Sequence, residues 1–177
     1  MISSQINKGL NGRPEIPGDK SISHRSIIIP SISKGICEVN DYLKSEDVKN
    51  TIKAFVSMGV KIIEKDGKII IHGKGLGSLT KPNKEIYLGN SGTSARLLTG
   101  LLASQKFNSI LTGDKSLSSR PMNRISDPLS KMNAKIFTNN GLMPLEIIGS
   151  ELKNANIEIK IPSAQIKSGI LLAALNT

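Results

Sequence analysis

The feature that most restricts how this chain can fold is that it repeats itself. The stretch "GDKSISHRSII" (18–28) aligns without a gap on "GNSGTSARLLT" (89–99), matching Gly18 with Gly89, Ser23 with Ser94 and Arg25 with Arg96. Further on, "FVSMGVKI" (55–62) is similar to "LSKMNAKI" (129–136), and "KIIIHG" (68–73) to "PLEIIG" (144–149). A third opening of the same kind, "PSAQIKSGILLAALN", occupies 162–176. The chain is therefore built from equivalent units, and one unit predicts the next.

Within a unit the periodicities are consistent. Each polar turn leads into an apolar helix (23–33, 93–104, 164–176) with Ser or Thr available as a cap. A strand follows at 36–40 and 108–113, and then an amphipathic helix at 46–57 and 122–133. Two strands close the unit, 60–64 with 68–72 and 134–138 with 144–149. The Asp-Gly of "EKDGK" (64–68) supplies a hairpin turn. Pro128 implies that the second amphipathic helix either starts near it or bends there. The fold class expected is α/β (α+β), with βαβαββ units of about seventy residues, two complete and a third begun. A helix running to Thr177 without closing strands predicts that the sequence is the N-terminal piece of a longer protein.

Composition narrows the partners. No apolar run approaches the ~20 residues of a membrane-spanning helix, and the first twenty residues hold no hydrophobic signal core. A formal charge of +10 favours anionic ligands, while 3% aromatic residues and no Trp disfavour stacking on single-stranded nucleic acid. The one cysteine, Cys37, excludes an internal disulfide, suits a reducing cytoplasm and is expected to be a buried strand residue. With no Cys/His cluster, a transition-metal site has no support, and "SEDVKN" (45–50) fits a helix start better than metal ligands.

The candidate chemistry lies at the unit openings. A Gly- and Ser-rich turn entering a helix presents free N–H groups and the positive end of the helix dipole to an anion. In "PGDKSISHRSIII" (17–29), Lys20, Ser21 and Arg25 add two cations and a hydroxyl. The Walker phosphate-loop pattern is absent, because Asp19 separates Gly18 from Lys20. Such a turn can also serve merely as a cap, but three of them favour the anion reading. In "GDKSLSSRPMNR" (113–124), Arg120 precedes Pro121 and so is held extended, ready for a bidentate pair with carboxylate or phosphate. Lys115 and Arg124 read as solvated, His24 as a packing or capping residue, and His72 as structural.

Taken together, "PGDKSISHRS", "LGNSGTSARLL", "GDKSLSSRPM" and "PSAQIKSGILLAALN" resemble the signatures of the 5-enolpyruvylshikimate-3-phosphate synthase family, in the same order. The resemblance covers nearly the whole chain but only about two-fifths of a typical member. It implies the two-domain enolpyruvyl transferase fold, with three βαβαββ units per domain. Residues 1–19 would belong mostly to the domain not represented here, and 20–177 to an incomplete N-terminal domain. It also implies transfer of the enolpyruvyl group of phosphoenolpyruvate to shikimate 3-phosphate through a tetrahedral adduct that loses phosphate, on the route to chorismate and aromatic amino acids. No cofactor, nucleic acid or membrane partner is implied, and the full-length form would be a cytoplasmic monomer.

Carried over by motif, Lys20, Ser21, Arg25, Ser163, Ala164 and Gln165 would bind shikimate 3-phosphate. Lys20, Gly92, Arg120 and Gln165 would bind phosphoenolpyruvate. Ala164 stands where one branch of the family has Ser, which removes a side-chain hydrogen bond. The proton-transfer residues would lie beyond the residues present. In the family, glyphosate occupies the phosphoenolpyruvate site and is the longer molecule, and some tolerant members carry Ala at the position of Gly92. The nearest alternative is UDP-N-acetylglucosamine enolpyruvyl transferase, of the same architecture, but that family usually places a reactive cysteine where this chain has Lys115, which argues against it. A non-catalytic basic module that binds nucleic acid is the alternative from another class.

Overall fold

The structure is a computed structural model that describes residues 9, 11–159 and 161–177. Its elements run α1 (Lys20–Ile32), β1 (Lys34–Val39), α2 (Glu46–Ser57), β2 (Lys61–Lys65), β3 (Lys68–Lys74), β4 (Ile86–Tyr87), α3 (Gly92–Ala103), β5 (Ser109–Thr112), α4 (Lys115–Ser118), α5 (Asn123–Ser130), β6 (Lys135–Asn139), β7 (Leu142–Ile148) and α6 (Ala164–Ala174). Most of the expected boundaries hold to within one or two residues.

The repeat is visible in the topology. One sheet has the order β1-β3-β2, and the other repeats it as β5-β7-β6 with β4 added beside β5. Every pair is antiparallel except β4 with β5. The two closing hairpins use one device. Asp66-Gly67 and Asn140-Gly141 all have positive φ, which lets a tight turn follow the strand twist. β4 is the opening strand of the second unit, whereas residues 11–19 form no strand.

Several expectations are corrected. The second amphipathic helix covers 123–130, not 122–133, and Pro128 lies inside it. β4 supplies the opening strand of the second βαβαββ unit, for which the sequence sets no range, and the short helix α4 is an addition to the expected unit. Cys37 is half-buried, not buried: it packs at the margin of the core on the edge strand β1. The part of the 1–19 assignment that falls on residues 1–8 and 10 lies outside the described residues.

Of the helices that open the units, α3 lies in the interior, while α1 and α6 each bury one side against it or the sheets. Every residue of α3 except Arg96 is buried, and α6 packs along it backbone to backbone. A side chain on Gly100 would overlap the Gly169 carbonyl, and one on Gly169 would stand 2.6 Å from the Arg96 carbonyl oxygen. No rotamer relieves a clash with main chain. Gly100→Ala is therefore expected to destabilise the fold by about 1 to 3 kcal/mol, as overpacking does, and urea unfolding checks it. Ile27, Ile28, Phe55, Ile69, Leu98, Leu101, Leu111 and Leu145 are fully buried around these helices and extend the core to both sheets.

Candidate functional site

The three unit openings are far apart in sequence, but side-chain hydrogen bonds join them in the fold. Each helix is capped by the residue its motif supplies. Asp19 accepts from Ile22 N–H, Ser91 from Ser94 N–H, and Ser163 from Ile166 N–H. Each cap satisfies one of the free donors and leaves others at the first turn for a ligand.

Arginines then tie the openings together. Arg25 on α1 donates to Ser168 Oγ on α6 at 2.8 Å and to the Ser21 carbonyl at 3.1 Å. Arg96, at the equivalent place on α3, donates to Gln165 Oε1 at 2.9 Å. Gln165 in turn donates to Thr93 Oγ1 at 3.0 Å. Arg120 donates to the side chain and carbonyl of Asn90 and to Ser116 Oγ. A Cβ placed on Gly92 would lie 2.8 Å from Arg96 Nη1 and 3.1 Å from Arg120 Nη1. Gly92 therefore stands between two guanidinium groups.

The electrostatics are lopsided. Among the described residues, no carboxylate lies within ion-pair distance of Arg25, Arg96 or Arg120; the ion pairs are Lys20–Asp47, Lys49–Glu46 and Lys68–Glu38. Burial, followed by the charges of Arg120 and Arg124, pushes the pKa of Arg96 down. Arginine stays charged regardless, so the shift reports an unfavourable concentration of positive charge. An anion would relieve it.

Of the residues singled out by motif, Arg25, Gly92, Arg120, Ser163 and Gln165 are drawn together by these bonds. Lys20 is turned onto Asp47 of α2, with its side chain half in solvent. The Asp47 end is largely covered while the ammonium keeps half its surface in water, so a ligand must draw Lys20 away from a partly sheltered carboxylate. Ser21 and Ala164 are exposed in the first turns of α1 and α6. Lys115 begins α4 and is exposed, and Cys37 lies in the other sheet. No helix is long and apolar enough to cross a membrane among the described residues.

Two residues that the motifs left unassigned, Arg96 and Asn90, join the same hydrogen-bonded cluster. Arg96 could have been found from the repeat, which matches it to Arg25. Asn90 had no such signal, since only the fold sets its amide against Arg120. His24 is fully buried, and its neighbours Thr51, Ser94 and Ser91 form a chain of hydroxyls beneath the α3 opening.

Comparison with known proteins is decisive here. Residues 4–177 match the family EPSP synthase (3-phosphoshikimate 1-carboxyvinyltransferase). The chain belongs to the EPSP synthase family. It is 52% identical over 172 residues to a 3-phosphoshikimate 1-carboxyvinyltransferase of Streptococcus agalactiae serotype Ia, covering 95% of this chain and 40% of that protein. A relative of the same name from Ruthia magnifica is 50% identical over 167 residues, with coverage of 94% and 38%. Among solved structures, an EPSP synthase from Acinetobacter baumannii superposes with a TM-score of 0.88 at 48% identity, over 93% of this chain and 38% of that one. The chain thus spans about two-fifths of the length of these relatives. The EPSP synthase fold accounts for the repeated sheets and for the inward helices.

Proposed function

We propose that this chain supplies the shikimate 3-phosphate face, and part of the phosphoenolpyruvate site, of an enzyme that makes 5-enolpyruvylshikimate 3-phosphate. The 5-hydroxyl oxygen gives up its proton and bonds to C2 of phosphoenolpyruvate while the C2=C3 double bond takes a proton at C3. Loss of a proton from the C3 methyl group of the adduct, with cleavage of the C2–O bond to phosphate, restores the double bond. Lys20, Ser21, Arg25, Ser163, Ala164 and Gln165 hold shikimate 3-phosphate, with Ala164 contributing through its backbone. Lys20, Gly92, Arg120 and Gln165 hold phosphoenolpyruvate. The proton-transfer groups belong to the part of family members that this chain does not span. The reaction needs no cofactor, and the setting proposed is a cytoplasmic monomer.

One observation carries this reading: Arg25, Arg96 and Arg120, none within ion-pair distance of a carboxylate among the described residues, gather at three helix openings with hydroxyl, amide and carbonyl oxygens as their partners. Such a cradle fits two polyanions that must lie side by side. Calorimetry of the 177-residue chain with shikimate 3-phosphate should give binding. A phosphate-release assay with both substrates should give no turnover. Turnover by the chain alone would place the proton-transfer groups within it. Absent binding, with affinity for random DNA that falls steeply with salt, would replace the enzyme reading with the nucleic-acid one.

Gly92→Ala tests the phosphoenolpyruvate half. The new methyl meets only the flexible tips of Arg96 and Arg120, so the chain should fold while both guanidinium groups retreat. Glyphosate, the longer occupant, is expected to lose about 1 to 3 kcal/mol to overpacking and phosphoenolpyruvate less. Titration of each in the presence of shikimate 3-phosphate measures this. Equal losses would mean that Gly92 does not discriminate by length, and two unchanged affinities would put it outside the site.

A further inference from the structure

His24 is a motif residue that the proposed reaction does not use. Its ring is fully buried on α1, immediately before Arg25, and among the described residues its Nε2 has no hydrogen-bond partner. Nδ1 lies 2.8 Å from Thr51 Oγ1 on α2. Thr51 Oγ1 lies 2.7 Å from Ser94 Oγ, which lies 2.6 Å from Ser91 Oγ, the cap of α3.

The directions of these bonds can be assigned. With the Thr51 hydrogen on the Asp47 carbonyl at 3.2 Å, its oxygen accepts from His24 Nδ1 and from Ser94, whose Oγ also lies 3.4 Å from Nδ1. Ser94 then accepts from Ser91, whose oxygen is already fixed by the Ser94 N–H at 3.1 Å. A proton on Nε2 would bury a donor with no partner, which costs more than a bare lone pair, so the tautomer that fits is the neutral ring with its proton on Nδ1. The charged groups around it are Asp47 on α2 and Lys20 and Arg25 on α1.

A leucine would fill the same space, leave Thr51 and Ser94 with their other partners, and orphan no nitrogen. Packing alone therefore does not call for a histidine; the Nδ1–H bond does. We propose that His24 is a positioning residue: its Nδ1–H, acting through Thr51 and Ser94, fixes the first turn of α3, where Gly92 lies, relative to the Arg25 turn of α1. This rests on the reading of Gly92 as part of the phosphoenolpyruvate site.

The test compares the unmodified chain with His24→Leu, His24→Asn and Thr51→Val. Asn can place an amide N–H where Nδ1–H stood, and Leu cannot. Shikimate 3-phosphate is titrated alone. Phosphoenolpyruvate is then added at millimolar concentration in its presence and followed by NMR at the Gly92 and Thr93 amides. The dissociation constant for phosphoenolpyruvate is expected to rise about tenfold in His24→Leu and Thr51→Val, the scale for groups coupled through one network. Shikimate 3-phosphate should change less than twofold, melting temperatures little, and His24→Asn should behave as the unmodified chain. Ring nitrogen shifts of the unmodified chain should report the neutral Nδ1–H form at pH 7. Equal loss of both ligands, no loss of either, failure of Asn to restore affinity, or the Nε2–H form would each overturn the positioning role. An unmodified chain that binds neither ligand would instead overturn the reading on which the role rests.

Discussion

Arg25→Ala is expected to weaken shikimate 3-phosphate binding by about 2 to 5 kcal/mol, the range for removing one partner of a desolvated charged pair. Arg25 is half-buried, and its guanidinium is already aimed by Ser168 Oγ and the Ser21 carbonyl. Little side-chain entropy then remains to be lost when a phosphate arrives, and a planar fork can take two phosphate oxygens at once. Lys20 differs, since its exposed ammonium must first leave Asp47. Calorimetry with shikimate 3-phosphate measures the loss, and Arg25→Lys separates charge from geometry. Lysine should recover only part of the affinity, because it cannot reproduce the two parallel bonds. An unchanged affinity in Arg25→Ala would return Arg25 to the role of a strut between α1 and α6.

The second large effect is on stability in acid. Burial, the dominant cause, pushes His24 down to about 4 from an ordinary value of 6.5, against an opposing pull from Asp47. The unfolded chain therefore binds a proton between those values that the folded chain refuses. Stability is fully present above pH 6.5 and is lost as the pH falls from 6.5 towards 4. The loss amounts to about 3 kcal/mol, at 1.36 kcal/mol for each pH unit of difference. Urea unfolding at pH 7 and pH 4.5 measures it. His24→Asn cannot titrate, so its stability should fall less across the same interval by most of that amount. Parallel curves for the two proteins would mean that His24 accepts a proton in the folded state.

What could be read from the sequence, and what could not, follows from the range of the forces involved. Caps, Asp-Gly and Asn-Gly turns and helical periodicity are local, so α2 falls on 46–57 as expected and the turn before β3 is the Asp-Gly one. The repeat carried the topology, and the order β1-β3-β2 recurs as β5-β7-β6. Two- and four-residue elements such as β4 and α4 have no period to detect. Helix α5 stops early because Ser130 and Leu129 turn the chain into a tight bend at Asn133, which has a positive φ. The meeting of Arg96 with Gln165 and of Asn90 with Arg120 depends on how helices cross, which no short window of sequence contains.

The close contact of α3 with α6 also bears on the order in which this protein comes into being. Arg96 and Gln165 are 69 residues apart, so at about 5 to 20 residues per second a ribosome delivers the glutamine roughly 3 to 14 s after the arginine. Throughout that delay α3 is without the helix that covers its Gly100 side, and the Arg96 guanidinium has no amide to rest on. One helix, α6, therefore ends both exposures at once, covering the Gly100 side of α3 and giving Arg96 its amide partner.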